Sequence, residues 1–382
     1  MGATVWRRGI RSGHLDGIGV YTRELSRIWN IGGSSPLLLE FTEGKPGCEM
    51  IDEENIELCK IGEGYPRHLL RSLGAPWLPA SNLKDFEKRI DLFFAPDHYI
   101  PVLKSTPVVA TVMDLIPLLH PEWVSARLRP IKNRLFPEMI RRADHLITIS
   151  QYSKRDIVTY LGIPSDRIDV VTLGVHSRFY ERLSSKHRDE ILARYGLKEN
   201  FFIFVGTIQP RKNLRRLIAA YTRLPLSLRK KHALVIVGKY GWGESGLRKQ
   251  LEQLAPDDSI RWLNTVEDKE LVALLQSARA LVYPSLYEGF GLPLLEGFAA
   301  RTAVMASRTT SLPEVGGDAV YYVDPEDIDS IRRGLWTLAQ EDALVEELRK
   351  KGEERVQNYS WERSAGEHEK IFSKVLSGRE LS

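Results

Sequence analysis

Twice along this chain, short runs of β-branched and aromatic residues alternate with stretches at helical spacing. That alternation constrains the fold more than any other feature. In the first half, residues 4–6, 36–41, 92–95, 108–113, 145–149 and 168–172 read as strands. In the second half the strands are 201–205, 233–237, 259–263, 280–283, 303–306 and 319–323. Most of these runs are apolar along their whole length, so they suit parallel strands covered by helices on both faces. The expected class is α/β, with two doubly wound parallel-sheet domains, which a length of 382 residues accommodates. The charged stretch 177–200, helical only over 186–195, reads as the connection between them. The domain boundaries are placed at 1–180 and 181–359.

A net charge of +4 is slight for this length and argues against a nucleic-acid binder. Cys48 and Cys59 are the only cysteines and fit free thiols in a reducing compartment. No Cys/His cluster has metal-ligand spacing, and neither a metal nor a cofactor is expected. The N-terminus lacks the apolar core of a signal peptide, and no apolar run approaches the ~20 residues of a membrane span. A cytoplasmic enzyme is expected. Residues 123–142 carry Arg127, Arg129, Lys132, Arg134, Arg141 and Arg142 beside an apolar stripe. They read as a solvated basic face or as a peripheral contact with the inner face of a membrane.

Glu288 and Glu296 stand eight residues apart in SLYEGFGLPLLEG. The strand before them ends at Pro284-Ser285; Gly289, Gly291 and Pro293 shape a loop and open a helix. Glu288 therefore lies at the carboxyl end of a strand and Glu296 about one turn into the helix, in the crevice where open α/β sheets bind ligands. Arg211 and Lys212 follow another strand and precede the helix starting at Leu214. Two cations beside a helix N-terminus make a diphosphate site. Gly17 and Gly19 open a helix in HLDGIGVYTRE, where backbone can approach a phosphate closely. Gly241, Gly243 and Gly246 form a GxGxxG with Glu267 21 residues beyond. That is a dinucleotide fingerprint, but it follows the second strand of its domain rather than the first. Asp327 and Asp329 begin a helix and read as a cap.

These segments, with FVGTIQPRKNL at 204–214, LVIVG at 234–238, SLPEVGGDA at 311–319, ADHLITIS at 143–150 and VVTLGV at 170–175, run in order from about Gly17 to Asp318. Together they resemble the GT-B retaining glycosyltransferases, family 4, the mannosyltransferase-like group 1 enzymes. The resemblance implies two Rossmann-like domains facing across a cleft, with helix 360–382 packing back on the first. It implies a metal-independent retaining hexosyltransferase using front-face attack. Mannose from GDP-mannose is the favoured donor and a UDP-hexose the alternative; the acceptor is a glycan or lipid-linked saccharide in polysaccharide or O-antigen-type synthesis. Arg211 and Lys212 would stabilise the leaving diphosphate, Glu288 would position the donor sugar and Glu296 would hold the ribose. Gly17, Gly19, Gly206, Gly238 and Val266 would line the donor, with Phe290, Gly291, Leu292 and Pro293 between the two glutamates. Asp114 matches a catalytic-site position, but Met113 stands where relatives have His, with His98 and His120 as possible substitutes. Two rival readings are a dinucleotide-dependent oxidoreductase and a catalytically silent nucleotide-sugar binder.

Overall fold

The computed structural model describes residues 1–12, 15–33, 36–51, 56–72, 83–97, 99–123, 136–241, 243, 245–253 and 259–380. The chain forms two compact units. One comprises Met1–Leu115, Pro130–Leu173 and Trp361–Ser382; the other comprises Ile116–Arg129 and Gly174–Ser360. The strands in chain order are β1 Leu38–Glu40, β2 Gly47–Ile51, β3 Ile56–Lys60, β4 Phe93–Ala95, β5 Val108–Thr111, β6 His145–Thr148 and β7 Ile168–Val170. They continue with β8 Phe201–Val205, β9 Leu234–Val237, β10 Ile260–Leu263, β11 Ala278–Tyr283, β12 Ala303–Ser307 and β13 Val320–Val323.

The second unit is a single parallel sheet in the order β10-β9-β8-β11-β12-β13. Counted from the unit's first strand, that is third, second, first, fourth, fifth, sixth: the doubly wound order. Phe201 to Phe204, Leu234 to Ile236 and all of β11 and β12 are buried, as strands covered on both faces must be. The direction of winding reverses between β8 and β11, so the loops that leave their carboxyl ends lie side by side. The stretch expected to link the domains is instead folded into this unit. Helix Ser185–Tyr195 lies along helix Asp268–Ser277, with Arg194 2.8 Å from Glu270 and the Tyr195 hydroxyl donating to the same carboxylate. The chain passes between the units four times, and the crossing that precedes this stretch falls at Leu173 and Gly174.

In the first unit β4-β5-β6-β7 form a parallel sheet, and β1-β3-β2 form a second one in which β2 runs antiparallel to β3. The expected strand at 4–6 is not there. The extended segment is Met1 to Ala3, where Gly2 pairs with Leu39 and donates to the Phe94 carbonyl at 2.8 Å, bridging the two sheets. Helix Thr4–Ser12 begins immediately after, its Val5 N–H capped by the buried Asp97 carboxylate at 3.2 Å. Apolar Val5 and Trp6 are buried as helix residues, and so short a run does not distinguish the two conformations.

The β2–β3 hairpin was not apparent from the sequence because β2 is almost wholly exposed. Its register sets Cys48 opposite Cys59, with Cα atoms 4.1 Å apart, and the two are joined in a disulfide. The expectation of free thiols is thereby corrected: antiparallel pairing brings together sulfurs that lie 11 residues apart. Glu57 lies near the two sulfurs, but sulfurs bonded to each other offer no thiolate to a metal.

Helix Trp361–Glu380 belongs to the first unit and packs on helix Gly17–Ile31. Its anchor is His368, fully buried among Tyr21, Trp29, Phe94 and Phe372. Nδ1 faces the Ser364 carbonyl at 2.7 Å and must donate, so Nε2 accepts from the Tyr21 hydroxyl at 2.5 Å. Thr111 completes the chain, its Oγ1 2.9 Å from the Tyr21 oxygen. Burial holds the imidazole at about 4, hence neutral.

Candidate active site

The winding reversal of the second sheet brings together the residues singled out on two distant segments. Arg211 and Lys212 follow β8 in a short 3₁₀ turn, Pro210–Lys212. Glu288 follows β11. Arg211 Nη1 donates to Glu288 Oε2 at 2.5 Å and Lys212 Nζ donates to Oε1 at 2.6 Å, so each carboxylate oxygen has its own cation. Lys212 also donates to the hydroxyl of Tyr283, and Arg211 to the Tyr287 carbonyl at 3.2 Å. Glu288 and Lys212 are 6% and 7% exposed, so neither charge could stand there alone. Burial pushes the Glu288 carboxyl up, but Arg211 and then Lys212 outweigh it and hold it at about 2. Two cations and one carboxylate leave the cluster with net positive charge. The sequence assigned cations and carboxylate to separate ligand groups; in the structure they are one another's counter-ions.

The backbone around them is fixed by polar groups that bury well only when paired. The single hydroxyl proton of Ser311 is shared between the carbonyls of Glu288 at 2.9 Å and Phe290 at 2.7 Å. Thr310 Oγ1 accepts the Glu288 N–H at 3.1 Å. Leu286 N–H reaches across to the Arg211 carbonyl at 2.7 Å, tying the two loops directly. Asn213 adopts φ 60° and spans two loops with its amide, donating to Pro284 at 2.9 Å and Pro325 at 2.7 Å. Gly238 ends β9 at φ 149°, and a Cβ there would meet the Gly206 oxygen at 2.1 Å, so backbone contact between these strand ends admits only glycine.

Helix Leu292–Ala299 starts at the foot of this loop, with Gly291 at φ 131° before it and Pro293 in its first turn. Glu296 sits on it, half-buried, with its carboxyl pushed up to about 7. Burial is the main cause; Arg178 opposes it, Asp268 reinforces it and Lys212 opposes it. Among the described residues no side chain is hydrogen-bonded or ion-paired to this carboxyl. Arg178 is engaged with Asp268 instead. Gly206, Gly238, Val266, Phe290, Gly291, Leu292 and Pro293 all lie at the carboxyl ends of this sheet's strands or just beyond. Phe290 is buried edge-on to Tyr359 and serves packing.

The remaining candidates fall differently. Gly17 and Gly19 lie in the first unit, and both are inside the first turn of helix Gly17–Ile31 rather than in a loop before it. The Gly19 N–H is already taken by the Asp16 carboxylate at 2.8 Å. Asp114 is half-buried just beyond β5, also in the first unit. His14 and His98 lie outside the described residues, as do 124–135 of the basic segment. Glu267 caps helix Asp268–Ser277 in a reciprocal box with Glu270, so its side chain is occupied in the manner of a cap and not of a ribose ligand. Asp327 accepts from the Asp329 N–H at 2.8 Å, a helix cap as expected. Tyr283, Asn213, Thr310 and Ser311 were missed as site builders. Tyr283 had a signal: a phenol ending a fully buried strand needs a polar partner.

Solved structures share this architecture. Sucrose-phosphate synthase from Thermosynechococcus elongatus superposes with a TM-score of 0.73 at 17% identity, covering 95% of this chain and 94% of that one. Anabaena HepE in complex with UDP-glucose gives 0.72 at 16% identity, covering 95% and 97%. The fold is that of the GT-B glycosyltransferases, two Rossmann-like domains in one chain. Residues 15–179 match the model for Glycosyltransferase Family 4, and 187–355 match that for Glycosyl transferases group 1. The chain is 34% identical over 282 residues to O-antigen chain mannosyltransferase B of Escherichia coli, covering 73% of each. It is 28% identical to an MMP alpha-(1->4)-mannosyltransferase of Mycolicibacterium hassiacum, covering 82% of this chain and 77% of that one. The chain belongs to the family 4, group 1 glycosyltransferases.

Proposed function

We propose that this chain moves a hexose from a nucleotide diphosphate sugar to a hydroxyl of a glycan or lipid-linked saccharide, with retention and without a metal. The observation that carries the reading is the Arg211–Glu288–Lys212 cluster at the winding reversal: cationic overall, with Glu288 and Lys212 buried, and held by backbone ties from both loops. When the donor's diphosphate arrives, its oxygens compete for the N–H groups that Glu288 now holds. The cations then neutralise charge that grows as the bond from the anomeric carbon to the phosphate oxygen breaks. Glu288, released in part, turns its carboxylate to the hydroxyls of the donor sugar. The acceptor oxygen forms its bond to the anomeric carbon on the same face, and its proton passes to the departing phosphate oxygen, so no protein nucleophile is assigned. Glu296, with no hydrogen-bonded or ion-paired partner among the described residues, takes the ribose hydroxyls. Asp114 is retained as a candidate without an assigned contact.

Mannose from GDP-mannose is the favoured donor because the curated relatives are named as mannosyltransferases; a UDP-hexose is the second reading. Polysaccharide or O-antigen-type assembly at the cytoplasmic face of a membrane is the proposed setting, the contact being peripheral through Arg127 to Arg142. Among the described residues no helix is long and apolar enough to cross a membrane. The test is a thermal-shift panel of GDP, UDP, ADP and NAD, followed by release of free sugar from GDP-mannose and UDP-glucose. Stabilisation by NAD alone, with no sugar released from either donor, would sink the transferase reading.

A further inference from the structure

Beside the charged cluster, and within the same unit, lies a group of rings the chemistry above does not use. Helix Ile116–Leu119 and the 3₁₀ turn Pro121–Trp123 present His120 and Trp123 with rings 3.8 Å apart and 13° from parallel. His120 also meets Tyr287 edge-on at 5.7 Å, and Tyr287 is the residue before Glu288 whose carbonyl binds Arg211. The imidazole is thus wedged between a stacked indole and the loop that carries the cluster, yet its side chain is 35% exposed. Nδ1 faces Glu122 Oε1 at 3.2 Å and donates to it, which leaves Nε2 as a hydrogen-bond acceptor with no partner among the described residues.

We propose that His120 and Trp123 form the platform on which a saccharide ring of the acceptor rests. A rigid aromatic pair with one polar edge matches a pyranose, which has an apolar C–H face and hydroxyls at its rim. The acceptor hydroxyl nearest the edge donates to His120 Nε2. Glu122, 60% exposed beside the imidazole, repels a diphosphate and accepts further hydroxyls, so the platform selects a neutral sugar and not the nucleotide. The platform's place next to Tyr287 sets the acceptor alongside the residue that handles the donor sugar. This inference rests on the transferase reading.

The experiment measures transfer from GDP-mannose and from UDP-glucose to methyl α-mannoside, with KM determined for donor and acceptor separately. His120→Ala and Trp123→Ala are each expected to raise the acceptor KM about ten-fold, the scale of losing one aromatic or hydrogen-bonding contact, and to move the donor KM by less than about two-fold. His120→Gln, which keeps an acceptor atom, should recover part of the loss. Stabilisation of each variant by the nucleoside diphosphate of whichever donor the wild type uses verifies that the second unit is folded. Where the wild type transfers, equal rises in donor and acceptor KM in the variants, or an acceptor KM unchanged from wild type, would overturn the platform alone. A wild type that transfers from neither donor overturns the transferase reading and the platform with it.

Discussion

Replacing Lys212 by Met keeps the length and volume of the side chain and deletes its charge. Lys212 is buried and holds Glu288 Oε1 at 2.6 Å and the Tyr283 hydroxyl. A carboxyl held at about 2 instead of 4.5 corresponds to ~3 kcal/mol in favour of the folded, ionised form. Arg211 remains on the other oxygen, so losing one of two cations removes roughly half, ~1–2 kcal/mol. The Tyr283 hydroxyl keeps Glu288 and Ser285 as partners and adds little. The variant should therefore lose ~1–2 kcal/mol of stability at pH 7. The sign is fixed by the depressed pKa: the Glu288 contribution is complete above about 4.5 and disappears as pH falls through about 2. Urea denaturation at pH 7 and pH 3, followed by near-UV circular dichroism, should show the gap between wild type and variant narrowing in acid. Well below the unfolding transition, kcat/KM for the donor should fall about 10²-fold, the scale of losing a preorganised charge stabiliser. A variant as stable as wild type at pH 7, with wild-type kcat/KM, would refute both the buried counter-ion pair and its role in transfer.

Glu288→Gln unties both cations, so binding of bare GDP or UDP by calorimetry should be retained or tightened while transfer falls; weakened nucleotide binding would show that Glu288 does not compete with the diphosphate. Glu296, with its carboxyl raised from 4.5 to about 7, contributes stability that is full below about 4.5 and lost as pH rises through about 7. In Glu296→Gln that part of the stability profile should flatten and nucleotide affinity should drop, whereas an unchanged profile measured by thermal melts from pH 5 to 8 would contradict the raised pKa. Transfer should continue undiminished in excess EDTA, because Arg211 and Lys212 supply the charge; chelator-sensitive activity restored by Mn²⁺ would count against the mechanism. For the hairpin, thiol titration of the folded protein should find Cys48 and Cys59 unreactive until a dithiol is added. Reduction should then lower the stability of the first unit by ~2–3 kcal/mol, as expected for a short closed loop; two reactive thiols without reductant would exclude the disulfide.

Much of the second unit was legible because its strands are buried on both faces and announce themselves as uninterrupted apolar runs. The two candidate segments were legible for another reason: glycine, proline and charge seldom coincide at strand ends without a ligand to serve. What the linear pattern could not give was pairing in space. Glu288 reads as a loop carboxylate, and only the adjacency of β8 and β11 reveals that Arg211 and Lys212 already occupy it. The first unit was less legible. Thr4 to Trp6 is too short a run to tell strand from helix, β2 lacks an apolar face, and a disulfide between Cys48 and Cys59 depends on a hairpin register that the flanking residues do not encode.

The seating of helix Trp361–Glu380 bears on the order in which the protein can be made. The first unit takes its buried His368 from a segment translated after every residue of the second. On the ribosome the usual sequence, in which N-terminal domains fold first, cannot run to completion here. Residues through Leu173 must wait with Tyr21, Trp29 and Phe94 uncovered while the second unit, whose sheet draws only on residues between Phe201 and Val323, is synthesised and closes. The first unit therefore closes only once helix Trp361–Glu380 has been made, and a product cut short of that helix leaves an aromatic surface open for chaperones and proteases to find.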